Sequence, residues 1–311
     1  MVAGEALVDL VPATDGQEQA RPGGGPFNTA RALARLGIPT AFLGHLSDDS
    51  YGRLLTDLLA GDGVDLSRAT FGPETTTVAF AELNGDGQAA YRFLVEGTSA
   101  PQLTRAAALI ELPPEVRALH VGTLGLVLEP MATSITELVV REAGRRVVML
   151  DPNIRPAMLG DGDGYRSRLG SILRASTIVK ASDADLEWLY PGLDRKASIA
   201  RLAQAGARLV VVTMGAGGAV GWCDGRLVSV SAPEVELADT IGAGDAFGAA
   251  LLAWLDDHRL LHPGFNLARP ELVSALEFAC LVASLTCTRP GAEPPWRAEV
   301  ESLRNDSAAI D

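Results

Sequence analysis

The sequence predicts an α/β protein built on a parallel β-sheet covered by helices. Two observations carry that expectation. Short β-type runs alternate with helix-type segments along most of the 311 residues. Several of those runs are apolar throughout, as in Val147-Val148-Met149-Leu150 and Leu209-Val210-Val211-Val212, which suits strands buried on both faces. In order, residues 2–11 read as a first strand ending near Asp9. Pro26 to Leu36 follows a glycine run, carries apolar residues at helical spacing and stops at Gly37, so it reads as a helix. A strand at 39–44 and a helix at 50–60 follow. Further strands fall at 118–121, 147–150, 176–179 and 209–212, with helices such as 130–143 and 194–205 between them. Right-handed crossovers then align the strand C-terminal ends along one edge, where open α/β sheets bind ligands. Residues 75–98 break the alternation, because two β-type runs flank Asn84-Gly85-Asp86-Gly87, a hairpin signal. Such an insertion serves as a lid or a dimerisation flap, or else is an ordinary edge hairpin. Residues 156–165 and the tail after 304 read as loose. No internal repeat or low-complexity linker divides the chain, so it is expected to form a single domain over 1–311.

Composition narrows the partners. Lys and Arg total 26 against 39 Asp and Glu, a net charge of −13, which disfavours any nucleic-acid backbone as a partner. A phosphorylated ligand stays open to such a chain through backbone N–H groups and helix ends. Cys223, Cys280 and Cys287 form no CxxC pair and read as buried reduced thiols. The histidines at 45, 120, 258 and 262 are scattered, so no structural metal site is expected. No apolar run approaches the roughly 20 residues a bilayer span needs, and the N-terminus lacks a basic region followed by an apolar stretch. The expectation is a cytoplasmic protein without membrane contact.

The strongest chemical signal is the segment Ala238-Asp239-Thr240-Ile241-Gly242-Ala243-Gly244-Asp245-Ala246-Phe247-Gly248, which opens into the apolar run Ala249 to Leu255. A glycine-rich turn at a helix N-terminus converges backbone N–H groups on an anion. Asp245 would repel a bound phosphate, so its presence there suggests a base that takes a proton from an attacking hydroxyl. The plainer alternative is a first-turn Asp complementing the helix dipole. A dinucleotide fingerprint fails on the spacing to the third glycine, and a Walker loop fails for want of GKS or GKT. Gly215-Ala216-Gly217-Gly218 follows a good strand but leads into an extended segment, so it offers no helix N-terminus. Gly23-Gly24-Gly25-Pro26-Phe27-Asn28 allows close backbone approach, and Asn28 can both donate to and accept from a ligand hydroxyl. With Asp9, these residues suggest a polyol site; a cap residue and a turn residue are the plainer readings.

Over nearly its whole length the sequence resembles the ribokinase-like (PfkB-type) family of carbohydrate kinases. Gly4-Glu5-x-Leu7-Val8-Asp9 resembles that family's sugar-contacting start, and 23–28 with the helix to Gly37 resembles its first signature. Asp239 to Phe247 closely matches its second signature, late in the chain where the family carries it. Asp151-Pro152-Asn153-Ile154-Arg155 and Thr286 to Ala292 resemble the fructokinase-like branch. The resemblance implies a three-layer ribokinase-like fold, a mostly parallel central sheet flanked by helices, with a small β-sheet lid from segments near 12–22 and 75–98. It implies ATP-dependent phosphorylation of a sugar hydroxyl, with Asp245 as general base and the N–H groups of Gly242, Ala243 and Gly244 holding developing charge. It further implies Asp9, Gly24, Gly25, Asn28, Tyr91 and Phe93 on the sugar, and Thr213, Gly215, Gly217, Gly218 and Lys180 on the nucleotide. ATP brings Mg2+, held mostly through water. Carbonyls around Asp239 and the 286–291 loop are candidates for a monovalent cation such as K+.

The departures matter too. Many relatives carry Asn-x-x-Glu where this chain has Ser182-Asp183-Ala184-Asp185. Asp185 is therefore the candidate magnesium-organising carboxylate, with Asp183 and Glu187 as local rivals. Arg155 would steady phosphates or pair with a substrate carboxylate, and the second role favours a keto-deoxy sugar acid. Arg92 raises the same question in the lid. Fructose ranks first as substrate, 2-keto-3-deoxygluconate second, ribose and nucleosides lower. An exposed lid sheet admits a homodimer. The alternative of another class, a non-catalytic sugar- or nucleotide-binding regulatory protein, has no use for a base beside a phosphate.

Overall fold

A computed structural model describes residues 1–12, 18–83, 89–160 and 162–308. The central sheet has eight strands: β1 (Val2–Ala3), β4 (Phe42–Leu43), β9 (Ala118–Gly122), β10 (Val147–Asp151), β11 (Ile178–Ser182), β12 (Leu209–Thr213), β13 (Ala219–Cys223) and β14 (Arg226–Val230). Their spatial order is β14-β13-β12-β11-β10-β9-β1-β4. All neighbours pair in parallel except the edge hairpin, where β13 runs antiparallel to both β12 and β14. The chain steps from β1 outward to β4 and then returns to β9 on the other flank of β1. The order therefore reverses between β1 and β9, the place where such sheets open a ligand crevice.

Alternate strand residues feed two separate cores. On one face Val2, Met149, Ile178, Leu209 and Val211 pack against α1 (Gly25–Arg35), α2 (Ser50–Gly61), α8 (Ala243–Asp257), α9 (Arg269–Cys287) and α10 (Arg297–Ala308). On the other, Leu119, Val121, Val148, Leu150, Val179 and Val210 pack against α3 (Arg105–Ala108), α4 (Met131–Glu142), α5 (Asp163–Ala175), α6 (Asp183–Leu189) and α7 (Arg195–Ala205). The three-layer arrangement follows from that double burial. A second sheet of four strands, β2 (Leu7–Pro12), β3 (Glu18–Gly23), β7 (Val78–Leu83) and β8 (Ala89–Leu94), in the order β3-β2-β7-β8, forms the lid. A third sheet is the parallel pair β5 (His45–Ser47) and β6 (Thr70–Gly72).

Several expectations need correction. The strand expected over 2–11 is two strands in two sheets. Gly4, at φ +151°, breaks it, and a Cβ there would sit 2.3 Å from Pro26 Cγ. Asp9 therefore belongs to the lid and not to the edge of the central sheet. The strand expected at 176–179 begins two residues later, which puts Lys180 and Ser182 on β11. Helix α5 begins inside the segment expected to be loose, and α10 runs on to Ala308. The hairpin tip 84–87 lies outside the described residues. Helix α9 is 19 residues long and apolar enough to span a membrane by length and composition, contrary to the expectation. Glu271 and Glu277 interrupt its apolar run, and half of it is buried, with Leu272, Ala275, Leu276 and Ala279 in the core with α8. It is a core helix. Cys223, Cys280 and Cys287 are free, the last only half-buried.

Helix α8 carries Asp245 in its first turn and is buried beyond it, with Ala246 to Leu255 all inside. Leu251 is fully buried there. Leu251→Ala is expected to lower unfolding free energy by about 2–5 kcal/mol. Denaturant titration checks this, and a loss below about 1 kcal/mol would contradict the packing.

Candidate active site

The strand C-terminal ends, the lid and the N-terminus of α8 enclose one cleft of about 320 Å³. Glu5 after β1, Thr123 after β9, Asn153 and Arg155 after β10, Lys180 and Ser182 on β11 and Thr213 on β12 come from the central sheet. Leu7, Asp9 and Phe93 come from the lid, and Gly24, Gly25 and Asn28 from the start of α1. Thr240, Ile241, Gly242, Gly244 and Asp245 complete the wall.

Asp245 occupies the first turn of α8 and is 8% exposed. Gly242 caps that helix in the left-handed region at φ 76°, and a Cβ there would lie 2.6 Å from Ala292 Cβ, so only glycine fits. Gly242 and Gly244 line the cleft, whereas Ala243 N–H turns back onto the Thr240 carbonyl at 3.3 Å. Asn28 Nδ2 donates to Asp245 Oδ2 at 2.8 Å. The buried Asn28 Oδ1 has no partner among the described residues, so it remains an acceptor for a hydroxyl. Gly25 passes between these groups. A Cβ on it would sit 2.4 Å from Thr123 Oγ1 and 3.3 Å from Asp245 Oδ1.

Burial dominates the electrostatics. It pushes the Asp245 carboxyl up to about 7; the Asn28 hydrogen bond and Lys180 oppose this, and the Asp151 charge adds to it. Asp9 rises to about 6 through burial, held back by Arg155 and Arg21. Glu5 rises to about 8 for the same reason, although its oxygens accept the N–H groups of Gly25 at 3.2 Å and Gly125 at 2.8 Å. Lys180 Nζ bonds Asp151 Oδ2 at 2.6 Å in a buried pair. Burial works against the Lys180 ammonium, but Asp151, with Asp245 and Asp185, outweighs it and the net direction is upward. That ammonium lies 3.0 Å from where a Gly244 Cβ would be, directly beside the anion-binding turn. The site thus combines a base poised near neutrality with a cation and a glycine turn at a helix N-terminus, a set suited to transferring a phosphoryl group to a hydroxyl.

A family model for the pfkB family of carbohydrate kinases matches residues 1–299. The chain belongs to that family. It is thus a phosphotransferase acting on a sugar hydroxyl. The kinase is 42% identical over 265 residues to a fructokinase of Rhizobium leguminosarum bv. trifolii, covering 84% of this chain and 81% of that one. It is 33% identical to fructokinase-1 of Oryza sativa subsp. japonica, covering 97% and 95%. A Vibrio cholerae O395 fructokinase structure in a form bound to fructose, ADP and calcium ion superposes with a TM-score of 0.86 at 27% identity, covering 97% of both chains. A Xylella fastidiosa fructokinase with bound ATP gives 0.86 at 27% identity over 99% and 98%.

The structure of this kinase brings Asp9, Gly24, Gly25, Asn28, Phe93, Arg155, Lys180, Asp185, Thr213, Gly242, Gly244 and Asp245 to one cleft. Gly215 and Gly217 form an exposed 3-10 turn just past Thr213, and Gly218 closes it at φ 88°. These glycines sit outside the cleft wall. Tyr91 lies on β8 opposite Ala81, and its side chain is outside the described residues. Arg92 is exposed and stacks on Phe80 at 4.7 Å, away from the cleft. Asp185 is held by three protein donors, Ile154 N at 2.7 Å, Ser182 N at 2.8 Å and Ser182 Oγ at 2.6 Å, in the capping box of α6. Asp183 instead pairs with Arg195 on the exposed side. Asp239 Oδ1 accepts from Thr240 N and Ile241 N, and Oδ2 accepts from Gly291 N and Arg21. Sequence reasoning assigned no role to Glu5, Thr123 or Asp151. Glu5 and Asp151 carry one available signal, a carboxylate at the end of an apolar β-type run. Replacing Asn28 by Ala removes the one hydrogen bond from an uncharged side chain that pulls the Asp245 carboxyl down. Its titration, followed by carboxyl-carbon NMR, is expected to move above about 7; an unmoved midpoint would mean the bond is not formed in solution.

Proposed function

We propose that this kinase transfers the γ-phosphoryl group of ATP to a hydroxyl of fructose, as a single catalytic domain whose lid covers the sugar. The observation that carries the reading is Asp245, buried at the N-terminus of α8 and bonded to Asn28. The fructokinase relatives and the fructose- and ADP-bound neighbour support the substrate.

Asp9, Asn28, Gly24 and Gly25 bind and orient the sugar, with Phe93 above it and the Tyr91 strand position alongside. Asp245 accepts the proton of the attacking hydroxyl as its oxygen bonds to the γ-phosphorus and the bond from phosphorus to the bridging oxygen of ADP breaks. Asp245 then carries the proton until it returns to solvent. Gly242 and Gly244 N–H and the Lys180 ammonium hold the charge on the transferring group, with Ala243 shaping the turn. Thr213, Gly215, Gly217 and Gly218 take the nucleotide side. Mg2+ bound with ATP supplies charge neutralisation at the phosphates. Asp185, its oxygens already engaged, fits a contact to Mg2+ through water more than direct ligation. A monovalent cation such as K+ would rely on backbone carbonyls near Asp239, whose carboxylate already accepts four hydrogen bonds. The outer face of the lid, where Leu94 is 49% exposed, is where a second copy would pack.

Arg155 favours one second reading. Arg155 lines the cleft, its charge acts on both Asp9 and Asp245, and although Nη1 is bonded to Asn153 Oδ1 at 2.6 Å, a sugar acid such as 2-keto-3-deoxygluconate would find a cation there. ADP release from Mg-ATP with fructose, 2-keto-3-deoxygluconate, ribose and adenosine separates the readings. Fructose is expected to dominate, and a dominant sugar acid would reassign the substrate. Asp245→Asn is expected to lower kcat by at least about 100-fold with fructose binding nearly unchanged. Near-normal turnover in that variant would remove Asp245 from the mechanism.

A further inference from the structure

Arg21 lies on lid strand β3, opposite Asp9 on β2. Directly paired residues of antiparallel strands project from the same face, so Arg21 shares the side of the lid on which Asp9 meets the cleft. Its guanidinium reaches past the lid. Arg21 Nη1 donates to Asp239 Oδ2 at 3.2 Å, across 218 residues of sequence. Asp239 lies three residues before Gly242, and its carboxylate accepts N–H groups from Thr240 at 2.7 Å and Ile241 at 3.0 Å, which bends the chain into the anion-binding turn. It also accepts Gly291 N–H at 2.9 Å, which fastens that turn to the loop following α9. Next along this loop, Ala292 fits against Gly242, and its carbonyl and that of Pro294 accept bonds from Arg31 and Arg35 of α1.

One guanidinium therefore joins the strand partner of Asp9 to the carboxylate that shapes the phosphate-binding turn. The side-chain bonds at the base of the lid among the described residues behave differently. Asp49 holds Thr76, and Thr77 holds Thr98 and Ala100 N–H, so these bonds fasten the base of the lid. None of them reaches the turn.

We propose that Arg21 is a positioning residue that couples occupancy of the sugar site to the geometry of the anion-binding turn. The proposal rests on the reading above, with sugar at Asp9 and the transferring phosphate at Gly242 and Gly244. Sugar hydroxyls bonded to Asp9 settle β2 and β3 over the cleft, and Arg21 on β3 then holds Asp239 in the arrangement that points the turn's N–H groups inward. Nucleotide bound to the turn favours the same lid position. The two ligands thus strengthen each other's binding by one shared factor. The pair is partly solvated, with side chains 33% and 17% exposed, so it adds little to folding stability. Its removal acts on coupling.

The test is a binding cycle by calorimetry. The Kd of a non-hydrolysable ATP analogue with Mg2+ is measured with and without saturating fructose, for the native enzyme, Arg21→Ala and Arg21→Lys. Native enzyme is expected to bind the analogue about 5-fold or more tighter with sugar present. Arg21→Ala is expected to bring that ratio close to one while thermal unfolding stays unchanged, and Arg21→Lys to restore part of it. A ratio preserved in Arg21→Ala, or a native ratio of one, overturns the proposal. Fructose that fails to bind native enzyme refutes the substrate assignment alone; the sugar selected by ADP release then takes its place in the same cycle, with the same outcomes deciding.

Discussion

A carboxyl group held out of water at the positive end of a buried helix is the constraint on which the rest of this structure depends. Asp245 sits where the dipole of α8 and its free N–H groups favour an anion, yet burial pushes its proton affinity up to about 7. Holding it there requires α8 to be fixed on every side. The helix is packed between the central sheet and α9, with its apolar residues inside from Ala246 to Leu255. Its first turn has to approach α1 and the 291–292 loop so closely that Gly25 and Gly242 have no space for a side chain. Asn28 then uses its amide on the carboxylate and keeps its carbonyl oxygen for a ligand.

Charge around that carboxyl is arranged in layers. Lys180 supplies a permanent cation beside the turn, and Asp151 keeps it protonated while buried. Burial raises both Asp9 and Asp245; Arg155 and Arg21 restrain the rise of Asp9, and Asn28 and Lys180 that of Asp245. Asp9 stands on the lid side, where substrate hydroxyls can donate to it, and Asp245 stands at the helix end beside the anion-binding turn, where a proton is to be taken up. The lid, which carries Asp9 and Phe93, completes the water-excluding wall.

Much of this was legible from sequence wherever the signal is local. β10 and β12 are apolar from Val147 to Leu150 and from Leu209 to Val212 because both faces are buried there, and that pattern survives in the linear chain. The glycines of the Gly242 turn and before α1 were legible as places without room for a side chain, but the groups that crowd them, Ala292, Glu5 and Thr123, are distant in sequence and were not. The break at Gly4 was not legible, because it exists to admit Pro26, and only the fold brings those residues together. Helix α9 was hidden because Glu271, Ser274, Glu277, Ser284 and Thr286 interrupt its apolar residues. Glu5, Thr123 and the Asp151 to Lys180 pair escaped for a different reason. Their meaning lies in strand register, which sets Asp151 beside Lys180 across 29 residues, and in crossings between sheets.

The central claim is that a buried Asp245 acts as the base, and the most direct measurement is the pH dependence of kcat/KM for the sugar at saturating Mg-ATP. A carboxyl whose proton affinity is raised to about 7 is inactive while protonated, so the rate is expected to rise with pH and reach half its maximum near pH 7. Below that midpoint it should fall about tenfold per pH unit. A rate that stays flat down to the ordinary carboxylate range, about pH 4, would contradict the account.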